Sequence, residues 1–387
     1  MTSENRALRV LYVINGLGTG GAERSLIELI EPLSVRQVEV KIAYLIERSE
    51  GVASEGLANV ETFQVGPRLV PALPRLGRLL RRLEPDLLHT TIFEADLIGR
   101  LASIGSGVKV VTSLVNTSYS RAGASNPDVS NTKLALARMI DGFTARHINA
   151  GFHALTEAAK RENAADLRLD PASIEVVPRG RSTARLGKPS MERRLATRGR
   201  LGLADDQPVL LSVGRREHQK GQVHAVEAMG VIRTTHPSAR LLIAGRDGAA
   251  SARLKAVTEK LGLDDHVVFL GHRPDVADIM VASDVLVFPS LYEGFGGTLV
   301  EAMALGLPIV ASDIPVMREV VAETGLLVER GSAPELAEAV RLVLDDATTA
   351  RRLREAGIAR YESRYRLDVV ADEMRDMYLK FVDGDSA

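Results

Sequence analysis

The sequence predicts an α/β protein built from two doubly wound, Rossmann-like domains that face one another across a cleft. Three observations predict it. Short β-branched runs alternate with longer helical patterns along nearly the whole chain, the alternation pauses at a basic, low-apolar stretch and then restarts, and the turns after the apolar runs are rich in Gly, Asp and Pro. A length of 387 residues suits two domains, each large enough for its own core.

Strands are expected at 10–14, 38–45, 87–89, 108–114, 151–155 and 174–177 in the first half. The basic stretch from Pro178 to Arg200 reads as hinge and linker. Strands resume at 208–213, 239–244, 267–270, 285–288, 308–311 and 326–328, each followed by a turn and a helix pattern. The charged, periodic segment 346–381 has no strand after it and reads as a long terminal helix packing back onto the first domain. The expected boundaries are 1–184, 185–365 and a crossing helix at 366–387.

Composition removes several function classes. Charge is balanced, 49 basic against 50 acidic residues, so no global field points to nucleic acid, and the 4% aromatic content without tryptophan offers no stacking platform for single strands. Cysteine is absent, which excludes disulfides, thiol nucleophiles and cysteine-ligated zinc. Chemistry must come from carboxylates, bases and backbone. The polar start, Met1 to Arg9, shows no signal core, and no apolar stretch approaches the ~18 residues of a spanning helix. A cytoplasmic protein is expected.

The most informative segment is 289–301, which places Glu293 and Glu301 on either side of a turn containing Gly294, Gly296 and Gly297. It follows an apolar strand and precedes a helix pattern that begins at Thr298 and closes at Gly306, so it lies at a strand's carboxyl end, where open sheets bind ligands. The glycines admit a ligand to the backbone, and the helix start favours an anion. Two acids beside an anion must face something neutral, such as sugar hydroxyls. A nucleotide sugar offers both surfaces. The plainer reading is a capping box, with Thr298 as the cap and Glu301 three residues later.

The strand at 208–213 runs into Gly214–Gly221, where Arg215 and Lys220 are the cations expected on a diphosphate. Asp-x-Asp, the usual metal carrier, occurs only as Asp383-Gly-Asp385 at the tail, so no metal and no bound cofactor is expected. Gly271, His272 and Arg273 leave another strand end and suit a nucleobase pocket, mostly through backbone.

In the first half, Gly16, Gly18 and Gly21 satisfy G-x-G-x-x-G before a helix pattern at 22–33, which alone supports a dinucleotide site. The acid that such a site wants after its second strand is matched only by Glu47, somewhat late. His89 and Asn116 each end an expected strand and are expected to point into the cleft, with His89 placed to position a hydroxyl or act as a base. Arginines at 75, 78, 81 and 82 alternate with leucines at helical spacing, which reads as a solvated basic face or as a peripheral contact with anionic lipid on the inner face of a membrane.

With both glycine loops, Arg215, Lys220 and Glu293-x-Phe-Gly-x-x-x-x-Glu301 placed, the chain resembles the retaining GT-B glycosyltransferases of family 4 over nearly its whole length. The resemblance implies a nucleotide-sugar donor held mainly by the second domain, a carbohydrate, lipid-linked or small-molecule acceptor held mainly by the first, and no required metal. It places Arg215 and Lys220 on the diphosphate, Glu293 on donor-sugar hydroxyls and Glu301 on the ribose. Phe295, Gly296, Gly297, Thr298 and Leu299 present backbone to phosphate and sugar, and Gly18, Gly20 and Gly21 match the family's Gly-Gly-Ala-Glu loop and are expected to bind the donor. Two positions depart from the pattern: Asn116 stands where many members carry histidine, and Arg179 stands where Pro-Asn-Gly is common. Arg179 is expected to meet an anionic acceptor or donor group. The implied reaction is sugar transfer with retained anomeric configuration; the rivals are a nicotinamide oxidoreductase using the first glycine loop and a noncatalytic nucleotide-sugar binder.

Overall fold

A computed structural model of the chain describes residues 6–18, 20–47, 57–117, 119, 130–148 and 151–384; Thr19 of the first glycine loop and Asp385 of the tail lie outside them. The chain forms two compact units. The first holds the described residues up to Tyr119, those from Asn131 to Arg181 and those from Tyr365 onward, and the second holds Ser130 and the residues from Ser182 to Arg364.

The first unit opens with β1 (Leu8–Gly16), α1 (Gly21–Val35), β2 (Val38–Ile46), β3 (Thr62–Gln64) and α2 (Leu69–Leu83). It continues through β4 (Leu87–Thr91), α3 (Phe93–Ser103), β5 (Lys109–Leu114), α4 (Asn131–Ile148), β6 (Gly151–Ala154), α5 (Glu157–Leu167) and β7 (Ile174–Val176). All seven strands are parallel in the order β3-β2-β1-β4-β5-β6-β7. Both sheet faces are covered, which is why the strands read as continuous apolar runs. On β1, Val10 and Ile14 pack with Leu26, Leu29 and Leu33 of α1, while Leu11 and Val13 face Leu76 and Leu80 of α2.

In the second unit α6 (Thr183–Leu186) and α7 (Met191–Arg200) precede β8 (Val209–Val213), α8 (Gln222–Ile232), β9 (Arg240–Ala244), α9 (Ser251–Lys260), β10 (Val267–Gly271) and α10 (Val276–Ala282). Then come β11 (Val285–Phe288), α11 (Gly297–Ala304), β12 (Ile309–Ser312), α12 (Pro315–Val321), β13 (Gly325–Val328), α13 (Ala333–Asp345) and α14 (Ala347–Arg360). Its six parallel strands run β10-β9-β8-β11-β12-β13. Leu210, Leu241, Ile243 and Val287 pack against Val226 and Met229 of α8 and Leu336 and Val340 of α13.

The last helix, α15 (Leu367–Asp383), returns to the first unit. Val370, Met374, Met377 and Tyr378 enter the core formed by β1 and α1, and Arg36 holds Asp372 at 2.6 Å and the Asp368 carbonyl at 2.8 Å.

One strand was missed and two expectations are corrected. The short edge strand β3 was not legible, since its residues are exposed or half-buried and present no apolar run. The basic stretch up to Arg200 is not an open linker: Arg198 is fully buried, donating to the carbonyls of Ala282, Ala204 and Gln207 at 2.7–2.9 Å and to Asp284 at 2.9 Å. The terminal segment is not one helix, because a π-helical turn at Tyr361–Tyr365, with both tyrosine rings buried, separates α14 from α15.

Candidate functional site

Strand order reverses between β8 and β11 in the second sheet, and ligands of doubly wound folds gather outside the carboxyl ends at such a point. Both informative segments lie there. The loop after β8 and the turn after β11 are joined by the Leu291 N–H to the Gln219 carbonyl at 2.8 Å and by the Gln219 amide to the Tyr292 carbonyl at 3.0 Å. Gly221 makes the junction: it is left-handed at φ 57°, and a Cβ there would collide with the Pro289 carbonyl.

The two loops also meet through charge. Lys220 Nζ forms an ion pair with Glu293 Oε1, and Ser290 Oγ donates to the same oxygen at 3.0 Å. Glu293 is 7% exposed, so its charge is held by these partners rather than by bulk water. The Lys220 ammonium stands 5.4 Å from the centroid of the Phe288 ring. Arg215 is the exposed counterpart, with a side chain 72% exposed and an acid, Glu217, at 3.8 Å. Arg216 is buried instead, bound to Asp247 at 2.8 Å and packed over Phe269, so it shapes the loop.

Gly296, left-handed at φ 87°, directly precedes α11, and its Cα lies so close to Leu299 that a Cβ would stand 2.8 Å from Leu299 Cδ1. This corrects the capping-box reading: the helix begins at Gly297, its cap is Gly296, and Thr298 makes no capping bond. Phe295, Leu299 and Glu301 are buried, and Gly297 and Thr298 are half-buried at the helix start. Gly271, at φ 65°, ends β10, and its carbonyl accepts the N–H of Gly245, which itself abuts the Gly214 carbonyl, at 2.7 Å. His272 is exposed, while Arg273 forms a two-pronged pair with Asp275 at 2.8 and 2.6 Å that holds the Asp275 carboxyl below its ordinary range. Sequence reasoning missed Ser290 and Gln219, which carry no signal of their own.

The first unit corrects one assignment outright. His89 is fully buried, with Nδ1 2.7 Å from the Tyr378 hydroxyl and Nε2 2.7 Å from Ser113 Oγ. Ser113 Oγ is in turn 2.8 Å from His153 Nδ1, and His153 Nε2 is 2.8 Å from the Val177 carbonyl. A carbonyl only accepts, so His153 Nε2 carries its proton and every donor upstream is fixed: Ser113 donates to His153, His89 to Ser113, Tyr378 to His89. Both imidazoles are neutral, and burial holds His89 well below its ordinary pKa and His153 at about 4. His89 is a structural residue, not a base presented to a substrate.

Asn116 is half-buried, and its Oδ1 accepts the Thr117 N–H at 2.9 Å. Gly20 caps α1 and Gly21 opens it, and the Glu23 carboxylate folds back against Gly20 at the anion-favouring end of the helix. That acid opposes a pyrophosphate there, although Glu47 directly follows β2, nearer the strand end than expected. Gly18 is half-way along the same loop and buried. Arg179 follows β7 and is half-buried.

Family models match both halves of the chain: the glycosyl transferase 4-like domain at residues 20–180 and the glycosyl transferases group 1 domain at 194–360. The 2-deoxystreptamine glucosyltransferase of Streptomyces kanamyceticus is 32% identical over 72% of this chain and 73% of its own length. The 2-deoxystreptamine N-acetyl-D-glucosaminyltransferase of Streptomyces fradiae is 30% identical over 78% and 73%. Several other curated relatives are matched over only about half of their length. Among solved structures, Anabaena HepE in complex with UDP and glucose superposes with a TM-score of 0.82 at 20% identity, covering 96% of this chain and 99% of that one, which shows a common GT-B fold. With the paired acid and lysine at the switch point of the second sheet and these relatives across both units, the chain belongs to the group 1 glycosyltransferases.

Proposed function

We propose that the protein transfers a hexose from a nucleoside-diphosphate sugar to an acceptor hydroxyl with retention at the anomeric carbon and without a metal. The observation that carries this is the Lys220–Glu293 pair at the β8/β11 switch point, which sets a cation for the diphosphate beside a carboxylate for sugar hydroxyls. The solved HepE complexes with UDP and UDP-glucose support a donor of this class.

The second unit holds the donor. Lys220 and the exposed Arg215 take the diphosphate oxygens together with the backbone at Gly296, Gly297 and Thr298, while Phe295 and Leu299 fix that turn by burial. Glu293 accepts from donor-sugar hydroxyls, Glu301 from the ribose, and Gly271, His272 and Arg273 border the base. The first unit presents the acceptor, through Asn116 and Arg179, and Gly18, Gly20 and Gly21 are assigned to the donor.

In the reaction the bond from the anomeric carbon to the phosphate oxygen breaks and the acceptor oxygen bonds to the same face of that carbon. The acceptor's proton passes to the departing phosphate, which serves as its own base. Arg215, Lys220 and the helix start stabilise the charge that develops on that phosphate. Burial of His89 supports this route, since it removes the histidine that sequence alone offered as a base. Metal independence rests on Lys220 and Arg215, which supply positive charge to the diphosphate.

The exposed face of α2 carries Arg78, Arg81 and Arg82 with Val70, 79% exposed, at its start, and we assign it a peripheral contact with anionic lipid. Among the described residues no helix is long and apolar enough to cross a membrane. The test of the whole reading is a panel of nucleoside-diphosphate sugars and acceptors, with NMR of the product's anomeric proton. Donor binding without transfer or hydrolysis would indicate a sensor, and an inverted product would overturn retention.

A further inference from the structure

The fully buried arginines of this protein all have side-chain partners. Arg100 holds Asp141 at 2.6 Å, Arg198 holds Asp284 at 2.9 Å, Arg216 holds Asp247 at 2.8 Å, and Arg181 donates to Ser25 Oγ at 3.0 Å. Arg179 makes no hydrogen bond and no ion pair with any described residue, although it is half-buried.

Its backbone is nonetheless fixed on both sides. The Val177 N–H donates to the Ala154 carbonyl at 3.0 Å and the Val177 carbonyl accepts from His153, while the Arg181 N–H donates to the Tyr365 carbonyl at 3.0 Å. Gly180 lies directly against α15, where a Cβ would stand 2.8 Å from Leu367 Cα. Tyr12 of β1, Glu23 of α1, Arg181 and His153 lie within electrostatic range of the guanidinium. Tyr12 is pushed up to about 12 and His153 down to about 4 by burial, so both are neutral at pH 7. Glu23 is the one acid in this set, and Arg181 is a second cation. Burial outweighs the neighbours and lowers Arg179 itself to about 10. A half-buried guanidinium without a hydrogen-bond partner is partly desolvated with little return, and the side chain's fork matches a carboxylate or phosphate in two-pronged fashion.

We propose that Arg179 binds an oxyanion, a phosphate or carboxylate group carried by the acceptor, and so restricts the enzyme to anionic acceptors. This deepens the proposed function and rests on its assignment of the acceptor to the first unit. The donor's diphosphate is the other source of the same chemistry, and saturating the donor site separates the two.

The probe is inorganic phosphate, titrated against full-length protein held in excess of whichever nucleoside diphosphate most raises its melting temperature, with chloride matching ionic strength. Acetate in a parallel series separates carboxylate from phosphate. Phosphate or acetate is expected to raise the melting temperature further in the wild type, and Arg179→Asn to lose roughly tenfold or more of that affinity. Without ligand, Arg179→Asn is expected to melt at or above the wild-type temperature, because the change removes an unpaired charge; a structural arginine would give a drop. Arg179→Lys keeps charge without the fork and serves as the second variant, with an intermediate loss expected. An absent response to both anions in the wild type, or an equal response in Arg179→Asn, overturns the proposal. If no nucleoside diphosphate binds, the transferase reading fails separately, and the same anion comparison without nucleotide still decides the role of Arg179.

Discussion

Lys220 Nζ and Glu293 Oε1 form an ion pair that ties the loop after β8 to the turn after β11, across the point where strand order reverses. The pair is enclosed on the acid's side and half-open on the lysine's, with side chains 8% and 24% exposed. Lys220→Met therefore leaves Glu293 without this cation and is expected to cost about 3 kcal/mol by urea unfolding, near the lower end for a broken buried pair. Lys220→Met with Glu293→Gln is expected to recover more than half of that loss. Turnover is expected to stay low in the double variant, which separates stability from chemistry.

Gly221 permits the junction through both its φ of 57° and its contact with Pro289. Gly221→Ala is expected to cost about 1–3 kcal/mol for the backbone strain alone, with the Pro289 collision in addition. Because the strain lies at the site, donor affinity should fall along with melting temperature. A variant that melts lower yet binds the donor unchanged would show that the two loops do not act as one site.

The Tyr378–His89–Ser113–His153 chain predicts a loss of stability in acid. An unfolded histidine takes a proton near pH 6.5, whereas His153 in the folded protein resists until about 4 and His89 is likewise depressed. The contribution is fully present above pH 6.5 and is lost as pH falls through the folded values, by roughly 3 kcal/mol for His153 alone. Tyr378→Phe strips His89 Nδ1 of its donor and is expected to cost about 1–3 kcal/mol at neutral pH. Turnover of the folded variant should remain at the wild-type level; a large loss would return His89 to the catalytic set.

Asp96 predicts the opposite slope. It is buried on the first turn of α3, its Oδ1 has no partner, and burial raises its pKa to about 7 despite Arg100. Its folded value lies above the unfolded one, so its contribution is whole below about pH 4 and is lost as pH rises through 7. Asp96→Asn is expected to stabilise the protein at pH 8 relative to wild type and to leave it little changed at pH 4, read from urea midpoints at the two pH values. Equal effects at both would contradict the assignment.

The parts of this molecule that were readable from sequence are those set by local pattern. Parallel strands covered on both faces must be apolar throughout, so Leu210, Leu241 and Val285 announced a buried sheet, and the glycines around Glu293 announced a turn at its edge. What stayed hidden depends on distant partners. His89 looked like a strand-end base because its partner Tyr378 lies 289 positions away. Arg198 looked solvated because its ligands are mostly backbone carbonyls, which no composition reveals. The Thr298 capping signal failed because a left-handed glycine two residues earlier had already set where α11 starts.

The central claim is that Lys220 and Glu293 grip a nucleoside-diphosphate sugar, and titration calorimetry with a panel of such donors tests it most directly. The account predicts that at least one donor binds the wild-type protein and that Lys220→Ala weakens it roughly tenfold or more, the loss of one charge-assisted contact. Binding of every donor with equal affinity to wild type and Lys220→Ala, or to neither, would contradict it.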